Sequence, residues 1–298
     1  FGAMSVGYVP EFFGKFKKQL FSTIQFPVPN KYRIPKGFTV TDYQNDCLEK
    51  MEKRFSKDNN IAAFIMESGA QMAGGVIIYP KDFQRKISKL CKKHDILFVL
   101  DEIATGFGRL GSMIQYKEQK SIPDIVAYGK MLTGGYLTMA ATLSSKKIYD
   151  SFSGEFNQWK HLFHGHTYTG NPIAASVANQ NILMYEKYNL IKKILKTSNI
   201  FSQYYDDISA IDIVGDIRHK GMLMGIELVS NKKKKIPIQT KKSINKVFFE
   251  EGKKNGIYLR TLGNIVMLVP PLSIEENELE LLLKKTIKTI QAAKSHVI

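Results

Sequence analysis

The chain has 298 residues, of which 44% are hydrophobic. This is enough to bury a large core, and the length fits one or two domains. The net charge of +16 is carried mostly by lysines, without the aromatic interleaving or motif that nucleic-acid binding needs, so we expect no nucleic-acid partner. No apolar run reaches the length of a membrane span, and two cysteines provide no disulfide framework, so we expect a cytoplasmic protein without a membrane partner.

The first half of the chain predicts strands that alternate with helices. Residues 61–67 predict a buried strand, and a glycine-rich loop follows. Pro80 should open a helix, because apolar residues recur at helical spacing over 83–91. The apolar runs at 96–100 and 125–128 predict two further buried strands. This alternation indicates a mostly parallel sheet, in which ligands bind beyond the carboxyl ends of the strands.

The second half of the chain predicts a smaller unit with a different pattern of strands and helices. Asn171 and Pro172 predict a helix start, and this helix should end near Tyr188. The elements predicted beyond it are a half-buried antiparallel strand at 221–229, a helix at 240–255, short strands at 257–260 and 265–269, and a final helix whose capping box is Ser273 with Glu276. We therefore expect an α/β fold. A large domain in residues 1–185 would have helices on both faces of its sheet, and a small α+β domain would occupy residues 186–298.

Two charged residues follow the predicted strands. Asp101 ends an apolar run, and a buried carboxylate there must be paired or hydrogen-bonded. A helix cap or Arg109 could satisfy it, as could the ring nitrogen of pyridoxal phosphate, with Ile103 packed under the flat ring. Lys130 lies among glycines in an apolar stretch, and we expect it to be buried, with a lowered pKa that suits Schiff-base formation. A surface turn lysine is the alternative, but the two residues together favour a pyridoxal phosphate enzyme.

Other polar residues predict weaker sites. His161, His164 and His166 lie close together, but no cluster of carboxylates or cysteines accompanies them, so we predict no metal site. Thr167 lies ahead of a helix start, where its hydroxyl is either a simple cap or a phosphate ligand. Arg260 ends a short strand and is either structural or a clamp for a substrate carboxylate.

The motifs around these residues resemble those of the class III aminotransferases, which have the fold type I of pyridoxal phosphate enzymes. The strings that carry the resemblance are residues 101–109 (DEIATGFGR), 129–135 (GKMLTGG), 163–172 (FHGHTYTGNP) and 259–264 (LRTLGN). They resemble most the branch that aminates 7-keto-8-aminopelargonate to 7,8-diaminopelargonate in biotin biosynthesis. The resemblance extends over nearly the whole chain.

This resemblance implies ping-pong transamination with pyridoxal 5′-phosphate in a homodimer with shared active sites. The amino donor would be S-adenosylmethionine or lysine. The implied roles are Lys130 as the Schiff-base lysine and proton-transfer base, Asp101 as the partner of the pyridine nitrogen, Ile103 as the residue against the ring, Thr167 as a phosphate ligand across the dimer interface, Arg260 as the ligand of the substrate carboxylate, and Arg109 and Gly165 as lining of the substrate pocket.

The chain also departs from the family. Ser68 stands where members usually carry proline, and Met72 stands where they carry glycine, so the loop after the first strand is expected to differ. Members are far longer on the N-terminal side, so we expect an N-terminally truncated chain or a split-gene product. Two alternatives stay open, namely another class III ω-aminotransferase and an inactive truncated remnant.

Overall fold

The fold comes from a computed structural model that describes residues 1–240 and 242–297. The helices are α1 (Gly2–Val6), α2 (Pro10–Phe13), α3 (Val40–Phe55), α4 (Phe83–Lys93), α5 (Gln115–Glu118), α6 (Lys146–Ser151), α7 (Pro172–Lys187), α8 (Leu190–Ser198), α9 (Ile200–Gln203), α10 (Tyr205–Ser209), α11 (Ile244–Lys254) and α12 (Glu276–Ala293). The strands are β1 (Ala63–Glu67), β2 (Ala70–Gln71), β3 (Ile77–Ile78), β4 (Leu97–Asp101), β5 (Ile125–Tyr128), β6 (Ala141–Ser144), β7 (Val214–Lys220), β8 (Leu223–Asn231), β9 (Ile236–Pro237), β10 (Arg260–Leu262) and β11 (Ile265–Leu268). Across the described ranges, no helix is long and apolar enough to cross a membrane.

The first sheet has the strand order β1-β4-β5-β6. Strands β1, β4 and β5 are parallel, whereas β6 is antiparallel to β5, which confirms the predicted mostly parallel sheet. Glu67 is the register partner of Asp101, which in turn lies opposite Ala127. The prediction of a buried first strand is wrong, because β1 is an edge strand in the described chain and its Ile65 is 43% exposed. The sheet therefore places several strand ends along one edge.

The second sheet is antiparallel, in the order β10-β11-β8-β7, with β9 added to β8. The sequence predicts a half-buried strand at 221–229, but β8 is buried from Leu223 to Val229. The reason is that both of its faces pack against apolar clusters. Met224 belongs to the main core of the molecule, whereas Leu223 packs with Val76 in a smaller cluster from the first half of the chain.

The helix starts reveal further differences. Helix α7 begins as predicted, because the Asn171 side chain accepts hydrogen bonds from two backbone N–H groups and Pro172 is the first helical residue. The capping box predicted for the last helix is wrong, since Glu275 and Glu278 form it, further along the chain than Ser273. The remaining shifts are smaller: α4 begins at Phe83, α11 at Ile244 and β10 at Arg260.

One apolar cluster extends from α3 to α12 and includes residues of both sheets. A buried ion network adds a second link between the halves. Glu227 on β8 pairs with Arg33 from the N-terminal segment and with Arg218 on β7, and Arg218 also donates 2.8 Å to the carbonyl of Gly75. The domain boundary near residue 186 stays a prediction.

Candidate active site

Asp101 and Lys130 lie at the carboxyl edge of neighbouring parallel strands. Asp101 is the last residue of β4, and Lys130 follows the last residue of β5 by two positions. Both charges act on the carboxyl group of Glu67, the last residue of β1: Asp101 raises its pKa and Lys130 lowers it. The sheet therefore brings together the two residues that the sequence predicts for one site.

The Asp101 carboxylate has one oxygen satisfied and one available. Its Oδ1 accepts a 2.8 Å hydrogen bond from the backbone N–H of Ile103. Within the described residues, no donor contacts Oδ2. The predicted alternative of an ion pair with Arg109 is wrong, because that guanidinium bonds elsewhere. An unpaired oxygen at a strand end is suited to a cationic ligand.

Ile103 lies beside the start of the Lys130 turn. A Cβ built on Gly129 would come within 3.3 Å of Ile103 Cγ2. Glycine at this position therefore allows the Ile103 side chain and the backbone ahead of Lys130 to approach closely. An apolar side chain therefore packs against the backbone that leads into the predicted Schiff-base lysine.

Lys130 has an unusual backbone and an accessible amine. Its φ is +46°, in the left-handed region that costs a non-glycine residue free energy and recurs at functional sites. The sequence predicts a buried lysine, which is wrong for the described chain: the side chain is exposed, since the turn lies beyond the end of β5. Its Nζ has no hydrogen-bond or ion-pair partner in residues 1–240 and 242–297.

The Lys130 turn is fixed by a residue that sequence reasoning missed. Asn181, in the middle of α7, donates from Nδ2 to the carbonyls of Met131 at 2.7 Å and Leu132 at 3.2 Å. These contacts join the helix that starts at Pro172 to the single turn that starts at Lys130. Since Asn181 lies 50 residues from Met131 in sequence, no local pattern could reveal the contact.

Glu67, like Asn181, lies at the site but was not among the site residues that the sequence predicted. Burial raises its pKa to about 7, and the charge of Asp101 adds to the shift, whereas backbone N–H groups and Lys130 oppose it. One of these N–H groups belongs to Met72 and donates to Oε2 at 2.9 Å. The sequence signal was present, because the predicted strand 61–67 ends on this carboxylate.

A buried polar network holds the loop that follows Glu67. Gln84 on α4 accepts from the Gly69 N–H at 2.8 Å and donates to Ser68 Oγ at 3.0 Å and Ser121 Oγ at 2.9 Å. Ser68, which replaces the usual proline, is fully buried within this network. The departure from the family pattern is therefore accommodated by hydrogen bonds.

Glu102 has a different environment from its neighbour Asp101. Its carboxylate is fully buried and accepts hydrogen bonds from the N–H groups of Gln115 at 3.0 Å and Tyr116 at 2.6 Å. Burial raises its pKa, and these two N–H groups act against the shift. Glu102 thus connects the loop after β4 to α5.

Arg109 links the two halves of the molecule. Arg109 is 5% exposed, and its guanidinium donates from one nitrogen to the carbonyls of Met222 at 2.8 Å and Pro270 at 2.7 Å. Burial lowers the pKa of Arg109 to about 10. These are the contacts of a structural residue, and the substrate-lining role implied for Arg109 stays an untested prediction.

The other predicted site residues lie apart from the strand ends. Arg260 opens β10 with an exposed side chain. Gly165 and Thr167 belong to residues 152–170, the exposed segment, in which every residue is exposed. In the described part of the chain, no hydrogen bond or ion pair joins these three residues to Asp101 or Lys130. Their roles stay predictions.

The exposed segment also carries the three histidines, His161, His164 and His166. His161 stacks near Trp159 and Phe163, and His166 accepts from the Tyr168 N–H at 3.1 Å. No group of three or more histidine, cysteine or acidic side chains converges on one point among residues 1–240 and 242–297.

An α/β fold with an acid and a lysine at adjacent strand ends defines a class of pyridoxal phosphate enzymes, and the comparisons with known proteins agree. The family model of the class III aminotransferases matches residues 1–290. The chain therefore belongs to the class III aminotransferase family, and the predicted fold type I is confirmed by its solved neighbours.

Individual proteins and solved structures within the family are also similar to this chain. The chain is 37% identical to adenosylmethionine-8-amino-7-oxononanoate aminotransferase of Geobacter sulfurreducens, over 97% of this chain and 65% of the relative. The crystal structure of the enzyme with that name from Methanocaldococcus jannaschii has a TM-score of 0.86 and 37% identity, with 98% of this chain and 65% of that chain covered. An omega transaminase from Pseudomonas jessenii, solved in complex with PMP, has a TM-score of 0.92 and 26% identity, over 99% and 65%. The chain thus spans about two thirds of the length of the relatives it matches.

Proposed function

We propose that this chain carries the catalytic lysine of a pyridoxal phosphate-dependent aminotransferase that converts 7-keto-8-aminopelargonate to 7,8-diaminopelargonate in biotin biosynthesis. The placement of Asp101 and Lys130 on adjacent strand ends carries the chemistry. The names of the relatives at 37% identity support the substrate and favour it over other ω-aminotransferase substrates.

The residues of the strand ends fit the cofactor. Asp101 Oδ2 is free to accept a hydrogen bond from a protonated ring nitrogen, and Ile103 offers an apolar surface to the ring. Lys130 Nζ is accessible to an aldehyde. Pyridoxal phosphate, when bound, supplies the electron sink that allows an amino group to be exchanged.

Each residue then has a defined task. With pyridoxal phosphate bound, Asp101 would hold the ring nitrogen in its protonated form, and Lys130 would hold the cofactor and act as the base that transfers the proton. Arg260 would bind the carboxylate of the keto substrate, with Gly165 and Arg109 near the pocket. Donor and acceptor occupy the site in turn, which is a ping-pong reaction. We propose S-adenosylmethionine as the amino donor, in line with the relatives' names. Lysine is the alternative amino donor.

We further propose a homodimer with shared active sites. The exposed segment supports this proposal, because it presents large apolar side chains to solvent, including Phe156, Trp159 and Phe163. Thr167 lies among them and would reach the cofactor phosphate of the second subunit. The two buried cysteines, both free, support a cytoplasmic location.

Replacement of Lys130 tests the proposed function. Protein incubated with pyridoxal phosphate should show the visible absorbance of lysine-bound cofactor, and Lys130→Ala should abolish it. Lys120→Ala is a matched control, since Lys120 is also exposed and has a positive φ of +51°. A visible band that Lys130→Ala retains would contradict the assignment.

The donor and acceptor need a separate assay. S-adenosylmethionine and lysine should each be tested as donor with 7-keto-8-aminopelargonate, with formation of 7,8-diaminopelargonate as the readout. We expect turnover with S-adenosylmethionine. Turnover with lysine alone would reassign the donor, and cofactor binding without any turnover would favour the inactive remnant.

A further inference from the structure

Two carboxyl groups, those of Glu67 and Asp101, line one cavity at the ends of the parallel strands. Glu67 and Asp101 end neighbouring parallel strands and are directly paired in register. Side chains at paired positions of parallel strands point to the same face of a sheet. The two carboxyl groups are therefore held side by side by the backbone of the sheet.

The Asp101 and Glu67 carboxyl groups have different hydrogen-bond partners. Asp101 accepts from the Ile103 N–H directly after its strand and keeps one oxygen free. Glu67 accepts a hydrogen bond from the Met72 N–H, and hydrogen bonds of Gln84 with Ser68 and with the Gly69 N–H stabilise the same loop. Two like charges on paired positions of neighbouring strands disfavour each other, so one of the two groups should retain a proton.

We propose that Glu67 is a positioning residue of this site. Its carboxyl group holds a proton beside Asp101, so that the pair carries one negative charge and Asp101 remains the carboxylate that faces the cofactor ring. This inference rests on the proposed function, and it adds a residue that the Asp101 and Lys130 pair alone does not account for.

The surroundings of Glu67 support this division. The titratable groups that act on it are Asp101 at the end of β4 and Lys130 after β5, and Tyr79 after β3 lies within range of both carboxyl groups. Burial and the Asp101 charge together raise the pKa of Glu67 to about 7, despite the opposing effect of Lys130. Near neutral pH, Glu67 is thus the group that takes up and releases the proton.

The first test uses protein without cofactor. Because the pKa of Glu67 is raised from 4.5 to about 7 in the folded chain, the stabilisation that its proton provides is complete below the unfolded pKa of 4.5. It is lost as the pH rises towards 7. The amide introduced by Glu67→Gln does not titrate, so the melting temperature of this variant relative to the wild type should rise between about pH 5 and about pH 8.

Asp101→Asn tests the pairing itself. Removal of the Asp101 charge should lower the pKa of Glu67, so the pH window of the Glu67→Gln effect should move to lower pH in an Asp101→Asn background. The same window in both backgrounds would overturn the pairing. A melting difference between Glu67→Gln and the wild type that is independent of pH would overturn the role of Glu67 as the proton holder.

The second test uses protein loaded with pyridoxal phosphate. Above neutral pH, the ionised Glu67 should stabilise the protonated form of the bound cofactor. Glu67→Gln should therefore lower the apparent pKa of the cofactor absorbance by about one unit. Glu102→Gln is the control, because this buried carboxylate lies next to Asp101 but bonds to the N–H groups of Gln115 and Tyr116. An unchanged pKa in Glu67→Gln, or an equal shift in Glu102→Gln, would overturn the proposal.

The two tests separate this inference from the proposed function. If the wild-type protein takes up no cofactor, the proposed function fails, whereas the melting experiments still decide whether Glu67 and Asp101 share a proton. If cofactor binds normally and only the pH effects are missing, the proposed function stands and the role of Glu67 fails.

Discussion

The strand ends and the exposed segment hold different parts of the predicted site in different ways. Glu67, Asp101 and Lys130 are held by sheet register and by hydrogen bonds within the chain. Gly165 and Thr167 lie in a segment that is exposed throughout and whose hydrogen bonds are local, such as that from the His166 N–H to Thr169 at 2.9 Å. The strand-end region is therefore held by contacts between distant parts of the chain, whereas the described hydrogen bonds of the exposed segment are local.

This difference separates two kinds of site residue. Groups that must hold a charge in a fixed direction lie where main-chain geometry positions them, which lowers the cost of ordering them when a ligand binds. Groups on the exposed segment are surrounded by large apolar side chains that a second surface would cover. This arrangement supports the proposed shared active site. Substitutions of the residues that support the strand ends should lower the free energy of unfolding. A substitution in the exposed segment should instead lower the affinity for the cofactor and leave the free energy of unfolding almost unchanged.

The largest effect is expected at Arg109, which couples the strand-end region to the second sheet. Arg109→Ala removes two buried charge-assisted hydrogen bonds and leaves the carbonyls of Met222 and Pro270 unpaired. We expect the free energy of unfolding to fall by about 3 kcal/mol in denaturant titrations. Arg54→Ala, which removes an exposed ion pair to Asp58, should cost less than about 1 kcal/mol.

A substrate-binding Arg109 would behave differently. In that case, Arg109→Ala would raise the KM for the keto substrate while the free energy of unfolding stayed unchanged. That outcome would contradict the structural role and restore the role that the family resemblance implies.

An intermediate effect is expected at Asn181. Asn181→Ala removes two hydrogen bonds to the Lys130 turn and should lower the free energy of unfolding by about 1–2 kcal/mol. Hydrogen exchange of the amides in 131–134 should become faster, because the turn loses its support from α7. The matched control is Asn179→Ala on the same helix, whose exposed side chain should leave exchange in the turn unchanged.

Faster exchange in both variants would show that α7 as a whole, and not the Asn181 amide, supports the turn. The comparison between the two regions would then be weaker, because the position of Lys130 would depend on general packing rather than on a directed contact.

The smallest effect on stability is expected at Thr167. Thr167→Ala should change the free energy of unfolding by less than about 0.5 kcal/mol, since the side chain is exposed. The dissociation constant of pyridoxal phosphate should nevertheless rise roughly tenfold, because one hydrogen bond to a charged phosphate is lost. Ser153→Ala, which removes another hydroxyl of the exposed segment, should leave cofactor binding unchanged.

Cofactor binding unaffected by Thr167→Ala would contradict the phosphate role. If the fall in affinity appears only at protein concentrations at which subunits associate, the shared active site is supported directly.

Much of the fold could be predicted, because its signals are local. The apolar runs at 96–100 and 125–128 coincide with β4 and β5 to within one residue. Asn171 and Pro172 predicted the start of α7 correctly, since a cap and a proline act within one turn. The predictions were wrong where burial depends on distant elements: β1 is partly exposed, and β8 is buried on both faces.

The same distinction between local signals and distant contacts applies to the residues of the site. Asp101 and Lys130 could be found because each follows an apolar strand, and chemistry requires an acid and an amine near the same edge of the sheet. Asn181 and Gln84 could not be found, because a polar residue within a helix has no pattern that indicates a partner far away in sequence. Arg109 was recognised as part of a motif, but its contacts with Met222 and Pro270 depend on the second sheet.

The sequence by itself determined the family, the strand-end acid and lysine, and the hydroxyl of Thr167, because these are properties of residue type and local spacing. The tertiary structure decided which groups share an environment. Strand register placed Glu67 beside Asp101, and the fold of α7 onto the Lys130 turn placed Asn181 there. The pKa of a carboxyl group depends on charges and burial in three dimensions, so the proton proposed for Glu67 could be inferred only after the strands were paired.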